Sequence, residues 1–158
     1  MTPNHPATLD HAGIAQRIAH HGRMCLLDTL QSWSASHVFC TAVSHHDADH
    51  PLRSASGLLA PCAIEYAAQA MALHGALTAP AASTPTPGYL ASVRGLRLAA
   101  LRLDEPAGAL QVRAERLAGD GNVVSYQFSV QAEDGALLAD GRATVVLNAA
   151  PPSPRTTR

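Results

Sequence analysis

Along this chain apolar and polar positions alternate, then fall into helical spacing, then alternate again. Between residues 24 and 44, two runs rich in Leu, Trp, Val and Phe flank a polar break at residues 34–36. That pattern predicts a hairpin. Residues 45–59 show no period and crowd together His, Asp, Pro, Arg, Ser and Gly, so they are expected to form a polar loop. From residue 60 to 75, reaching about Leu77, the positions Ile64, Ala67, Ala68, Met71, Ala72 and Gly75 recur at threes and fours. This spacing predicts a helix, with Pro61 in its first turn, where a missing N–H costs nothing. Its many alanines would let a sheet approach closely. The Pro- and Ser/Thr-rich stretch 78–87 ends it. A shorter helical turn is expected at residues 14–19.

After Gly88 the period becomes two. Leu110, Val112 and Ala114 alternate with Gln111, Arg113 and Glu115, and Val124, Tyr126, Phe128, Val130 and Ala132 alternate with Ser125, Gln127, Ser129 and Gln131. Each strand should have one buried and one wet face. Residues 119–122 and 133–136 carry Gly, Asp and Asn, which suit hairpin turns. The last strand should run over residues 137–147. The order is strand, strand, helix, four strands, an α+β arrangement whose antiparallel sheet must curl around one long central helix. Residues 13–148 are expected to form a single domain between flexible tails at 1–12 and 149–158.

Composition narrows the function. The chain has 158 residues and a net charge of -1, and its 11 basic residues, all Arg, are scattered; this argues against a nucleic-acid groove. Hydrophobic residues make up 47% but aromatics only 4%, so the core must come from Leu, Val and Ala. Cys25, Cys40 and Cys62 lack CxxC spacing, and no His/Asp/Glu spacing forms a metal site, so neither a disulfide framework nor a metal is expected. Apolar stretches are too short for a membrane span and no signal peptide is apparent; a cytoplasmic protein is expected.

The candidate chemistry lies on the helix. Glu65 sits near its start, where the helix dipole favours an anion and burial favours the neutral acid. Gln69 follows one turn later on the same face and can orient the carboxyl group. The segment Ile64-Glu65-Tyr66-Ala67-Ala68-Gln69-Ala70-Met71 resembles the active-site helix of hotdog-fold 3-hydroxyacyl-carrier-protein dehydratases. His20-His21-Gly22-Arg23-Met24-Cys25-Leu26-Leu27-Asp28 resembles their N-terminal signature, with Ala19 in place of Pro, and Gly88-Tyr89-Leu90-Ala91-Ser92-Val93-Arg94 resembles the strand after the helix. The resemblance is closest to the divergent branch associated with aryl-polyene and related pigment pathways.

The resemblance implies a hotdog fold and a lyase that removes water from a 3-hydroxyacyl thioester on acyl carrier protein or CoA, in fatty-acyl or polyene biosynthesis, without a cofactor. Glu65 would be the acid/base and His50, in the His50-Pro51 segment that lacks the family's Phe and first Gly, its complement. His45 and His46 share that loop and are the alternatives. Gln69, Tyr66 and the first helical turn at Cys62 and Ala63 would contact substrate, free amides polarising the thioester carbonyl. His20 and His21 are expected to pack or cap at the entry to the sheet, and His74 to sit as a charge near the helix C-terminus. Hotdog sheets pair edge to edge, so a homodimer or higher oligomer, or a hetero-oligomer, is expected. Two other readings are a hotdog acyl-thioesterase and a non-catalytic subunit that binds acyl carrier protein or a catalytic hotdog partner.

Overall fold

A computed structural model describes residues 6–80, 88–120 and 122–147. Its elements are α1 (His11–Ala15), β1 (Thr29–Trp33), β2 (His37–Ala42), α2 (Ala63–Thr78), β3 (Tyr89–Leu98), β4 (Leu110–Gly119), β5 (Val123–Gln131) and β6 (Leu137–Val146), with 3-10 turns at Gly22–Met24, Ser44–His46 and Ala60–Cys62. The six strands form one antiparallel sheet in the order β1-β2-β4-β5-β6-β3. The alternating patterns become facing pairs, Val112 opposite Val130 and Ala114 opposite Phe128. The turn after β5 uses Gly135 at φ +90°, a conformation in which a Cβ would be strained.

The sheet curls around α2, whose Ala63, Tyr66, Ala67, Ala70, Leu73 and Leu77 join Val38, Cys40, Val112, Tyr126 and Phe128 in one buried core. Truncating a core residue such as Leu73 to Ala would cost about 2–5 kcal/mol. The expected apolar stripe is divided. Ala67 and Met71 are buried, whereas Ile64, Ala68, Ala72 and Gly75 lie half-buried on the opposite side, together with Glu65. An alanine-rich helix has little amphipathy, so its spacing alone does not reveal which flank meets the sheet.

His74 is a core residue rather than a helix-end charge. Its Nε2–H donates to Ser34 O at 2.9 Å, Tyr126 donates to Nδ1 at 2.8 Å, and burial lowers its pKa. It therefore joins the helix to the β1–β2 turn as a neutral ring. The first helix is His11–Ala15 instead of 14–19, because Asp10 caps it by accepting from Gly13 N at 2.8 Å. Of residues 6–12, expected in a tail, 11 and 12 open α1 and 6–9 run beside β1: Leu30 N donates to Leu9 O at 2.9 Å and Trp33 Nε1 to Pro6 O at 3.0 Å. The remaining tail residues, 1–5 and 149–158, fall outside the described residues, as do 81–87 of the loop after α2.

Two features frame the helix entrance. The segment after β3 turns back alongside residues 57–60, with Leu103 N bonded to Leu58 O at 2.8 Å and Ala60 N to Leu101 O at 3.0 Å. Arg102 and Arg53 both hydrogen-bond Asp104, and the Arg102 hydrogen bonds above all keep its carboxyl well below the usual range. Gly57, at φ +98°, lets the Arg102 guanidinium lie where a Cβ would sit 2.6 Å from it. Beyond, the edge strand β3 exposes Tyr89, Leu90, Leu96 and Leu98, and Leu101 just after it is 87% exposed. Among the described residues no helix is long and apolar enough to cross a membrane.

Candidate functional site

Glu65 stands in the first turn of α2 with its side chain 32% exposed. One carboxylate oxygen, Oε1, receives two donors: His20 Nε2 at 3.0 Å and Gln69 Nε2 at 3.2 Å. Among the described residues no group hydrogen-bonds Oε2, which remains open to a ligand. The Gln69 amide, itself fully buried, cannot turn over. Its Oε1 accepts from Leu26 N at 2.8 Å and its Nε2 donates to Met24 O at 2.6 Å as well as to Glu65. With both ends fixed by main chain, the face toward Glu65 is a donor. The site is therefore built to hold a carboxylate, a proton acceptor.

Pro61 shapes the entrance differently from the expectation. The chain enters α2 through a 3-10 turn in which Cys62 N bonds to Leu59 O at 3.0 Å and Ala63 N to Ala60 O. The Ala60, Cys62 and Ala63 amides are thus already engaged, and Ala63 is buried. Cys62 is half-buried; burial pushes its thiol pKa up and the Glu65 charge adds to this, so it is held as a thiol.

His50 does not hydrogen-bond Glu65 within the chain. Leu52 N donates to its Nδ1 at 3.0 Å, so the ring proton sits on Nε2 and is donated to the Tyr66 oxygen at 3.0 Å. Ser44 Oγ spends its proton on Leu26 O at 2.8 Å, and so Tyr66, 2.8 Å away, donates to Ser44. Burial lowers the His50 pKa and raises that of Tyr66, so both rest neutral near pH 7. Tyr66, expected against substrate, is 0% exposed. This chain reaches the site from behind, because the Leu26 amide grips Gln69 and the next peptide's carbonyl takes Ser44.

The other loop histidines also lie away from Glu65. His46 donates from Nε2 to Pro106 O at 2.8 Å, and His45 is fully buried with its ring 3.8 Å from that of His46. His20, assigned from sequence to packing or capping, is the histidine that folding brings to the carboxylate. Its motif was legible in residues 20–28, but spacing along the chain could not show that this segment crosses the first turns of a helix some 40 residues later. Two concavities of the single chain, about 560 and 430 Å³, lie on the outer sheet face around Phe39 and Arg113 and beside Arg23 and Asp28; neither is lined by Glu65. Among the described residues no cluster could hold a metal ion.

A curled antiparallel sheet around one helix, with a carboxylate on the helix's half-exposed flank, defines a hotdog-fold protein. Solved structures agree. The chain is similar to a dehydratase heterocomplex, ApeI:P, from Xenorhabdus doucetiae, with TM-score 0.72 and 23% identity over 86% of this chain and 91% of that one. It is also similar to a thioesterase from Haemophilus influenzae, with TM-score 0.64 and 14% identity over 93% and 94% of the two chains, and to one from Staphylococcus aureus, with TM-score 0.59 and 13% identity over 75% and 90%. No curated protein sequence matches it. The chain belongs to the ApeP-like family, described as ApeP dehydratase, which matches residues 12–153.

Proposed function

We propose that this chain forms one half of a paired hotdog site that removes water from a 3-hydroxyacyl group carried as a thioester on acyl carrier protein. One observation carries the reading: Glu65 has one oxygen anchored by two donors and the other free on a half-exposed apolar flank. Oε2 takes the proton from C2, and the same proton leaves on the C3 hydroxyl as C3–O breaks, giving the enoyl thioester and water with the carboxylate regenerated. Ile64, Ala68 and Ala72 form the near wall of the acyl path, small enough to admit a chain.

The far wall is absent from a single chain, and the uncovered apolar residues of β3 are suited to supply it through a partner. An exposed edge with Leu90, Leu96 and Leu98 on it invites a neighbouring sheet. The partner is a hotdog subunit, a second copy or a different chain as in the Xenorhabdus heterocomplex. Purified chain, alone and co-expressed with a catalytic hotdog subunit, is given 3-hydroxyacyl carrier protein and followed by intact mass. Loss of one water that disappears with Glu65→Gln supports the reading. Release of free acid and carrier thiol would establish a thioesterase, and turnover indifferent to Glu65→Gln would leave this chain a non-catalytic subunit.

A further inference from the structure

We infer that His20 is the positioning residue of Glu65, a role that rests on the proposed function and replaces the direct partnership expected of His50. Three points of one segment, residues 20–26, converge on the start of α2: the His20 ring on Glu65, and the Met24 carbonyl and Leu26 amide on Gln69. The segment acts as a clamp. Gln69 fixes the carboxylate from the C-terminal side and His20 from the facing segment, so Oε1 is held and Oε2 is presented. Two donors on one oxygen leave the other the better base toward a substrate C–H, since Oε1 already shares its lone pairs.

Among the described residues three histidines are buried, His45, His50 and His74, and they are paired differently. His50 and His74 each have both ring nitrogens hydrogen-bonded, to Leu52 N and Tyr66 and to Tyr126 and Ser34 O respectively. His20 differs. Its Nδ1 is buried without a partner while Nε2 is committed to Glu65. What sets His20 apart is that its one ring partner is a half-exposed carboxylate that Gln69 also holds, rather than main chain or a hydroxyl. Nε2 is the ring nitrogen whose N–H reaches the carboxylate.

The test uses the full chain in whichever assembly turns over 3-hydroxyacyl carrier protein. His20→Leu is expected to lower kcat about 100-fold, the scale of a misplaced catalytic group, with KM within about threefold. His20→Gln, which keeps a donor near the Nε2 position, should recover at least about tenfold of that loss, a rescue expected only if the donor aims the carboxylate. The imidazole ¹⁵N spectrum supplies a readout independent of turnover: wild type should show the Nε2–H tautomer of His20, and Glu65→Leu, which removes the acceptor, should convert it to a mixture. Full activity in His20→Leu, where Glu65→Gln is dead, would overturn this inference while leaving the function intact. A tautomer unchanged by Glu65→Leu would overturn it as well. An inactive wild type in every assembly would overturn the function and the inference together.

Discussion

Replacing Tyr66 with Phe tests whether His50 serves the site through structure. Phe keeps the buried ring and removes only the hydroxyl that accepts from His50 Nε2 at 3.0 Å and donates to Ser44 Oγ at 2.8 Å. Each of those bonds contributes a net of about 0.5–1.5 kcal/mol, and leaving the His50 N–H unpaired costs about 1–3 kcal/mol, since His50 is only 5% exposed. Ser44 keeps its bond to Leu26 O and is not stranded. These contributions overlap, so the expected loss is about 2–4 kcal/mol, or a Tm drop on the order of 5–15 °C for a chain of this size. Urea unfolding followed by the fluorescence of Trp33, at one fixed protein concentration because association adds to stability, measures it. His50→Leu and the double variant complete a cycle whose coupling should exceed about 1 kcal/mol. A loss under about 0.5 kcal/mol, or additive single variants, would refute a structural role for the His50–Tyr66–Ser44 hydrogen bonds.

Other outcomes follow from the same geometry. Glu65→Gln should abolish dehydration yet shift stability by less than about 1 kcal/mol, because the side chain is one-third exposed and Gln69 retains both main-chain bonds; activity and urea midpoints check it together. His45 is held neutral by burial, with the His46 ring adding and the Pro106 and Gly108 carbonyls and Asp104 opposing, so its pKa falls from 6.5 to about 4. The unfolded chain then binds a proton that the folded chain refuses, and stability should fall as pH drops from about 6.5 toward 4. Replacing His45 with Leu should flatten that slope in urea titrations across pH. Gly57→Ala should cost about 1–2 kcal/mol from the left-handed backbone alone, with more if Arg102 is displaced from Asp104, read as a lowered urea midpoint. Leu98→Glu on the open β3 edge should reduce the assembled fraction in analytical ultracentrifugation while the isolated chain stays folded.

The period of two in β4 and β5, the Asp/Gly turns and the alanine-rich run after Pro61 each act through neighbours along the chain. They determined the sheet, the central helix and the Glu65/Gln69 pair without reference to tertiary structure. What local spacing cannot encode is which surfaces meet across long loops. Curling the sheet around α2 brought residues 20–26 against the helix start, made His20 the donor to Glu65, and drew His50 onto Tyr66 instead. The same packing placed Ile64 and Ala68 on the flank away from the sheet and buried His74 between helix and hairpin. A histidine's role depends on which partner reaches each ring nitrogen, and those partners lie from 2 to 60 residues away in sequence. Residue order determined the scaffold and the carboxylate; the fold alone decided which histidine the carboxylate meets.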